Sequence, residues 1–315
     1  MSNIYVVIVT FNGQQWIRRA LSSLRNSTEQ SQVIVVDNAS TDSTVHVVQE
    51  EYPEVEVLSL PENKGFGVGN NIGVSRALSK NAEYIFLLNQ DAYVAPDAIR
   101  KLANFLSDNV EFGLATPLHC SPDLKRVDIK TQRNYLNRFA VEYLSDACIG
   151  IKKDYYKIKG INAAAWMVRA SAFMKVGGFD PLFFMYGEDD DLINRFSFHN
   201  CSFALIPDAR IVHLRESPPS TSSSYWESVE KMSERERSSI LVDLKAPLVS
   251  FSYMLSLLLS KGIVRPLADY VVNHDGKLLI AYLLATVRLL QELPTIKKHG
   301  KQCESKGPHF LGVEQ

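Results

Sequence analysis

The first hundred residues alternate short apolar runs with amphipathic segments, and this alternation constrains the fold more than any other feature. The apolar runs cover residues 4–9, 33–36, 55–60 and 84–88. The segments between them repeat apolar side chains at helical spacing, most clearly over residues 14–25. Strands that alternate with helices in this way form βαβ units and a parallel sheet. We therefore predict an α/β fold with a mostly parallel sheet flanked by helices.

Polar side chains follow three of the apolar runs, at Thr10, Asp37 and Asp91. In a parallel sheet the carboxyl ends of the strands meet at one edge, where ligands collect. We therefore expect Asp37 and Asp91 to share one cleft. Taken alone, Asp91 is better explained as a turn residue, because Asp is common after strands.

A glycine-rich stretch at 61–69 contains Gly65, Gly67 and Gly69 and is predicted to be a loop before a helix over 70–78. Its spacing and its position after the third strand do not match a dinucleotide-binding fingerprint, which argues against a dehydrogenase. Two interpretations remain open. The glycines let the backbone approach a ligand closely, or the stretch is an ordinary connection.

The second half of the chain contributes an acidic run, Glu188-Asp189-Asp190-Asp191, and His213 at the end of an apolar pair. Acidic residues at a helix start are stabilised by the helix dipole, so the run could be structural. A cluster of carboxylates can also abstract a proton or bind a metal. Residues 118–159 are irregular, and we expect them to form a partly mobile segment over the cleft. A Ser/Pro-rich loop is expected at 215–224.

Composition excludes several classes of protein. The formal net charge is -1, so nothing indicates a nucleic-acid partner. The four cysteines are scattered, which indicates neither a zinc site nor a disulfide framework and fits a cytoplasmic location. No signal peptide and no apolar run long enough for a confident membrane span are predicted.

Residues 221–315 are predicted to form a helical C-terminal extension of a domain at 1–220, itself divided into halves at 1–94 and 95–220. Its apolar stretches at 248–259 and 278–290 suit a buried hairpin or a homodimer contact. The alternative is an interfacial helix on a membrane, because Lys297, Lys298 and Lys301 make the end of the chain basic.

The order of the motifs is more specific than any one of them. Six motifs occur in sequence: VIVTFN at 7–12, VDNASTD at 36–42, NKGFGVGN at 63–70, LLNQD at 87–91, GGFD at 177–180 and YGEDDDL at 186–192. Together they resemble family 2 glycosyltransferases of the GT-A fold, and most of all the rhamnosyltransferase-like branch. The resemblance covers roughly residues 3–215 and implies inverting transfer of a sugar to an acceptor hydroxyl. It implies a UDP- or dTDP-sugar donor, with dTDP-rhamnose as one candidate.

The resemblance also implies roles for particular residues. The donor nucleotide-sugar would be held by Thr10, Asn12, Asp37, Asn63, Asn70, Asn89 and Asp91. Asp91, with His213, would bind a divalent cation, Mg²⁺ or Mn²⁺. Asp189 would be the catalytic base, supported by Glu188 and Asp191. The implied acceptor is a glycan or a lipid-linked glycan, reached by peripheral contact with the inner face of the membrane.

Two departures from the family pattern bear on activity. The usual DxD motif reads Asn89-Gln90-Asp91 here, so one carboxylate is missing and metal dependence is left open. The QxxRW motif of processive synthases is absent from the sequence, which indicates transfer of one or a few sugars. Two other functions stay open, a non-catalytic nucleotide-sugar-binding scaffold and a sugar nucleotidyltransferase.

Overall fold

The computed structural model describes residues 2–215 and 225–312. Within these ranges nine strands form one sheet in the spatial order β3-β2-β1-β4-β8-β6-β9-β5, with β7 paired to β9. The strands are β1 (Ile4–Thr10), β2 (Gln32–Asp37), β3 (Glu56–Ser59), β4 (Tyr84–Leu88), β5 (Ala92–Val94), β6 (Phe112–Cys120), β7 (Tyr156–Ile158), β8 (Ala165–Arg169) and β9 (Ser202–His213).

The predicted parallel arrangement is confirmed for the first four strands. β1 pairs in parallel with β2 and β4, and β2 pairs in parallel with β3. Beyond β4 the sheet is mixed, because β8 is antiparallel to both of its neighbours while β6 and β9 are parallel. The strand β9 is the longest of the described strands, with 12 residues. Its register against β6 shifts after Ile206, next to Pro207, which has no amide hydrogen to donate.

The helices cover both faces of the sheet and continue beyond it. They are α1 (Gln14–Arg25), α2 (Thr44–Glu51), α3 (Gly65–Ser79), α4 (Ala98–Asp108), α5 (Ile129–Thr131), α6 (Asn137–Phe139), α7 (Val141–Cys148), α8 (Ala170–Val176), α9 (Glu188–Phe198), α10 (Tyr225–Leu244), α11 (Phe251–Leu259), α12 (Arg265–Asn273) and α13 (Gly276–Gln302). A π-helical segment, Ser260–Val264, joins α11 to α12, and another, Gln132–Leu136, joins α5 to α6. One core lies between α1, α2, α4 and the sheet, and a second lies between α3, α8, α9 and the opposite face.

The predicted loop at 61–69 is wrong in its second half, because α3 begins at Gly65. Gly69 and Gly73 face β1, and a Cβ added at Gly73 would collide with Val7, while one at Gly69 would lie 2.8 Å from Val9. The glycines therefore bring α3 close to the sheet, and this packing outweighs their low helix propensity. Close packing against β1 explains Gly69 and Gly73, whereas Gly65 lines a cavity at the start of the helix.

Residues 118–159, expected to be irregular, contain the end of β6, the short helices α5 to α7 and all of β7. Leu136 and Tyr156 from this segment are buried in the protein. The expected loop at 215–224 lies outside the described residues except for Arg215.

The C-terminal helices share a separate core. Ile240 and Leu244 of α10 pack with Leu257 of α11 and Leu289 of α13, and Phe183 joins them from the first part of the chain. The division at residue 220 stays a prediction. The expectation that no run could span a membrane is corrected for α13, which is long and apolar enough by length and composition, with 33% of its most apolar window buried.

Candidate functional site

The ends of β4 and β9 bring together three polar side chains that are far apart in sequence. β5 pairs with β9 so that Ala92 faces His213, and this register sets Asp91 beside the imidazole. Nε2 of His213 lies 3.2 Å from Oδ1 of Asp91 and 3.5 Å from the amide nitrogen of Asn89. The structure thus assembles Asn89, Asp91 and His213, as the sequence predicted.

The Asp91 carboxylate is held in its charged form. Burial alone would raise the pKa of Asp91, but the hydrogen bond with His213 and the amide of Arg215 lower the pKa below its ordinary value. The Arg215 amide donates to Oδ2 of Asp91 at 3.2 Å. An ionised carboxylate with a neighbouring imidazole is suited to bind a cation.

A cavity of about 590 Å³ opens over this group. Of the residues predicted to hold the donor, Asn63, Asn89 and Asp91 line it, together with His213. Sequence reasoning missed two cationic side chains on its wall, Lys130 and Arg215, as well as the aromatic residues Phe11, Trp16, Phe66 and Tyr186.

Four residues predicted to bind the donor do not line the cavity: Thr10, Asn12, Asp37 and Asn70. Three of them form hydrogen bonds with backbone groups or with neighbouring side chains. Thr10 donates its hydroxyl to Oε1 of Gln90 at 2.6 Å, Asn12 accepts from the Thr41 amide at 2.8 Å, and Asn70 donates to the Phe66 carbonyl at 2.9 Å. The structure places these three as supports of the cavity wall.

Asp37 differs from the other three. Its Oδ2 accepts from the Ser40 amide at 3.1 Å, whereas its buried Oδ1 has no hydrogen-bond partner in the part of the chain that the structure describes. A buried carboxylate oxygen without a partner is costly, so this atom is free to accept a hydrogen bond from a ligand hydroxyl.

Gln90, which was not singled out from the sequence, ties the ends of β1 and β4 together. Besides accepting from Thr10, its Oε1 accepts from the Phe11 amide at 3.0 Å and its Nε2 donates to the Phe11 carbonyl at 3.3 Å. Its position between Asn89 and Asp91 is the sequence signal that could have identified it.

The acidic run lies at a second cavity, which has a volume of about 700 Å³. Glu188, Asp189 and Asp190 line it at the start of α9, where the helix dipole favours negative charge. Tyr186 lines both cavities. The two cavities are therefore neighbours: the Asp91 group lines one of them and the acidic run lines the other.

Two carboxyl groups of this run have raised pKa values, so they can hold or accept a proton near neutral pH. Burial and the nearby Asp190 raise the pKa of Asp189 to about 6, and burial together with Asp189 raises the pKa of Glu188 to about 8. Asp189 accepts from the Ala163 amide at 3.4 Å. Oε2 of Glu188 has no hydrogen-bond partner among the described residues. The two groups titrate as a coupled pair, so at neutral pH one proton remains near them.

Asp191, predicted to support the base, is turned away from both cavities. Its carboxylate is buried and accepts from Arg195 at 2.9 Å and from Lys245 at 2.7 Å. Lys245 also lies 2.9 Å from Asp180, which His299 contacts at 2.9 Å. We name these five residues the buried charge network. It joins the start of α9 to α10 and α13, so Asp191 anchors the helix and does not face the cleft.

The residues around Asp91 fit a divalent cation only in part. Asp91 and His213 supply one oxygen and one nitrogen ligand, and the buried Oδ1 of Asn89 has no partner among the described residues. Within residues 2–215 and 225–312 no group of three His, Cys, Asp or Glu side chains is placed to hold a metal. A cation here would complete its shell with oxygens of a bound ligand, which is usual for Mg²⁺ bound with phosphates.

Comparison with known proteins gives matches along most of the chain. Residues 5–177 match the family model described as "Glycosyl transferase family 2", and residues 147–217 match the one described as "N-terminal domain of galactosyltransferase". The N-acetylglucosaminyl-diphospho-decaprenol L-rhamnosyltransferase of Mycobacterium tuberculosis is 27% identical over 232 residues, which are 66% of this chain and 75% of the relative. Rhamnosyltransferase WbbL of Escherichia coli K12 is 26% identical over 67% of this chain and 83% of its own length.

Solved structures share the fold at low sequence identity. Staphylococcus aureus TarS 1-349 in complex with UDP-GlcNAc matches with a TM-score of 0.55 and 15% identity, covering 96% of this chain and 89% of that chain. GalNAc-T7 with UDP, GalNAc and Mn²⁺ matches with a TM-score of 0.58 and 15% identity, covering 94% and 58%.

Proposed function

Because the chain belongs to glycosyl transferase family 2, as its motifs predicted, we propose that it transfers one sugar from a UDP- or dTDP-sugar to a hydroxyl of a glycan or lipid-linked acceptor, with inversion at the anomeric carbon. The fold is that of GT-A glycosyltransferases, also as predicted. The proposal concerns the donor, the acceptor and the mechanism.

The observation that carries the proposal is the pair of neighbouring cavities that share Tyr186. One contains a carboxylate with a lowered pKa, Asp91, and the other a carboxylate with a raised pKa, Asp189. Inverting transfer needs a diphosphate site on one face of the sugar and a base on the opposite face. Two neighbouring cavities that each contain one of these carboxylates suit this arrangement.

We propose dTDP-rhamnose as the first donor to test. This rests on relatives and not on a contact in the cavity. The Shigella flexneri protein named dTDP-rhamnosyl transferase RfbF is 24% identical over 67% of this chain and 69% of its own length. Asp37, whose Oδ1 has no partner among the described residues, is suited to accept from the 3′-hydroxyl of the nucleoside sugar, which is deoxyribose in dTDP, while Asn63 and Phe66 line the cavity.

Asp189 is the proposed base. An acceptor hydroxyl has a high pKa, so it attacks only as its proton is removed. A carboxylate with a pKa of about 6 is ionised at neutral pH and more basic than an ordinary Asp. Glu188, with a pKa of about 8, keeps its proton there. The neutral Glu188 then adds no second negative charge beside the base.

Asp91 and His213 would hold the divalent cation, with Asn89 beside them. When bound, such a cation supplies positive charge to the leaving diphosphate. Lys130 and Arg215 line the same cavity and add positive charge of their own. Arg215 is held there by Thr131, to which it donates at 2.9 Å. With Asn89 in place of Asp, the cation would have one carboxylate ligand fewer. The positive charge of Lys130 and Arg215 at the diphosphate compensates for this loss.

We propose a cytoplasmic protein that works at the inner face of the membrane. Nucleotide-sugars are water-soluble, whereas an acceptor such as the diphospho-decaprenol named for the Mycobacterium tuberculosis relative lies in the bilayer. The enzyme would meet the two at the membrane surface.

The test of the base is Asp189→Asn, with Asp190→Asn as the matched control one residue away. Asp190 is exposed at the same helix start. We expect Asp189→Asn to abolish transfer while leaving the dissociation constant for the donor nucleotide unchanged, and Asp190→Asn to retain most of the activity. Unchanged turnover in Asp189→Asn would refute the assignment. Donor binding without turnover by the wild-type protein on a broad acceptor panel would favour the scaffold function.

The donor is tested by measuring melting temperatures with UDP-, dTDP- and GDP-sugars, each with and without Mn²⁺ or Mg²⁺. A ligand that binds the native state raises the melting temperature by mass action. We expect dTDP-rhamnose with a divalent cation to give the largest increase. A larger increase with a GDP-sugar would contradict the proposed donor.

A further inference from the structure

For their length, the C-terminal helices expose more large apolar side chains than the other described residues. Half of the exposed large apolar side chains in the described residues lie between residues 248 and 290. On the continuous helical stretch formed by α11, the π-helical segment and α12, apolar residues recur at every fourth position. We name this set the apolar stripe: Phe251, Leu255, Leu259, Ile263, Leu267 and Val271.

The stripe is exposed along its whole length. Leu259 is 57% exposed and Val271 is 72% exposed, and only Ile263 is half-buried. Monomeric soluble proteins rarely leave a contiguous apolar surface of this kind uncovered, so such a surface marks a site of interaction.

The charge around the stripe indicates what covers it. Residues 245–302 contain eight Lys and Arg against three Asp and Glu, in a chain whose formal net charge is -1. Lys261 and Arg265 belong to the same helical stretch, and Lys277, Lys297 and Lys298 lie on α13. A symmetric homodimer would press two positively charged surfaces together, which opposes association. An anionic lipid surface complements the charge.

The helical stretch that carries the stripe also borders the cavity of the proposed base. Lys261, in the middle of the stretch, lines that cavity together with Asp189, and it is paired with Asp243 of α10. Three further cations line the same cavity, Arg138, Lys159 and Arg235. A bilayer that holds the stripe would therefore lie along the same helical stretch as a cavity lined by cations, which suit anionic headgroups.

We propose that the apolar stripe docks the protein peripherally on an anionic bilayer, with the stripe inserted at the headgroup boundary and the cavity of Asp189 opening toward it. The occupant is the lipid surface itself. The purpose of this docking, which is to reach a lipid-linked acceptor, rests on the proposed function. The docking itself is measured without donor, acceptor or catalysis.

The test is binding to sonicated vesicles of 70% phosphatidylcholine and 30% phosphatidylglycerol, measured by co-sedimentation. The wild-type protein should bind these vesicles, bind pure phosphatidylcholine more weakly, and be released by high salt, because salt screens the lysines. Leu259→Asp in the stripe and Val272→Asp next to stripe residue Val271 should each lower the vesicle partition coefficient by at least about tenfold, since they place a charge in or directly beside the inserted surface.

The matched control is Val110→Asp, because Val110 is 79% exposed and Val272 is 76% exposed, but Val110 lies at the turn between α4 and β6. Circular dichroism and melting temperature establish that each variant is folded. Equal binding by Leu259→Asp and the wild type, or equal loss in Val110→Asp, would overturn the proposal.

Two other occupants are outcomes of the same experiment. A stable dimer in size-exclusion chromatography that Leu259→Asp dissociates would show that a second copy covers the stripe. Protein that stays with the vesicles in alkaline carbonate would show that α13 spans the bilayer. Both results overturn peripheral docking. Transfer to a water-soluble acceptor without vesicle binding would leave the proposed function intact, and vesicle binding without transfer would leave the docking intact.

Discussion

Replacing Lys245 with methionine removes the centre of the buried charge network while keeping most of the side-chain volume. The Lys245 side chain is fully buried and lies within 2.9 Å of two carboxylates, Asp180 and Asp191. After the substitution Arg195 and His299 remain as the neighbours of these two carboxylates. Removing one partner of a buried ion pair leaves an uncompensated charge, which typically costs about 3–5 kcal/mol. We expect Lys245→Met to lower the free energy of unfolding by this amount at pH 7.

The pKa of Asp180 gives a second estimate of the same size. Burial alone would raise this pKa, but the hydrogen bond with His299 and the charge of Lys245 lower it from 3.8 to about 2. A carboxylate with a depressed pKa in the folded state contributes stability above its unfolded pKa, and this contribution is lost as the pH falls toward the folded value. Here the contribution is about 2.5 kcal/mol, fully present above about pH 4 and lost between about pH 4 and pH 2.

The assay is urea unfolding of the wild type and the variant at pH 7 and at pH 3. The matched control is Lys153→Met, because Lys153 also lies between two carboxylates, Glu142 and Asp146, but at the surface. Exposed ion pairs contribute little to the free energy of unfolding, so Lys153→Met should have almost the same free energy of unfolding as the wild type. The difference between Lys245→Met and the wild type should narrow at pH 3, where Asp180 begins to protonate in the variant.

Two results would refute this reasoning. One is a loss of stability in Lys245→Met no larger than in Lys153→Met. The other is a difference in the free energy of unfolding between Lys245→Met and the wild type that is the same at pH 7 and at pH 3. Since the network anchors the start of α9, we also expect kcat to fall in Lys245→Met, with the donor dissociation constant little changed.

Three further predictions follow from the site and the fold. The transfer rate should rise with pH through about 6, as Asp189 loses its proton, and a kcat/KM profile that is flat between pH 5 and pH 7 would contradict a base with that pKa. Gly73→Ala should lower the free energy of unfolding by about 1–3 kcal/mol, because the added methyl collides with Val7, whereas Gly300→Ala, whose methyl would meet only the Lys245 carbonyl oxygen at 3.8 Å, should be neutral or stabilising in the same urea titration. His213→Ala should reduce the increase in melting temperature that Mn²⁺ adds to a bound nucleotide-sugar, and an undiminished increase would exclude His213 as a ligand.

The strands of the first half could be predicted from the sequence because their signals are local. Residues 4–9 and 84–88 are runs of apolar side chains, and they form β1 and β4 almost to the residue. A run that is apolar on both faces has one favourable position, inside a sheet that is covered on both sides. The order of strands and helices then gave the parallel pairing and the edge where Asp91 lies.

The start of α3 could not be predicted from local propensity. Glycines at 65, 67 and 69 weaken a helix in isolation, and the prediction placed a loop there. In the folded protein Gly69 packs against Val9 of β1, while Gly67 packs against Phe179 and Gly65 against Phe184. The surface buried when α3 packs on the sheet stabilises the helix by more than the low helix propensity of glycine destabilises it. This burial depends on residues more than fifty positions away in the sequence.

The sequence by itself determined the alternation of strands and helices, the edge at which Asn89 and Asp91 lie, and the acidic run near the active cleft. Only the tertiary structure decided that Asp189 faces a cavity while Asp191, two residues later, is buried against Lys245. Residues two apart on a helix point in nearly opposite directions, so one run of carboxylates supplies both a reactive group and an anchor. Which residue takes which part depends on a lysine more than fifty residues further along the chain, whose position is set only when the C-terminal helices pack against the sheet domain.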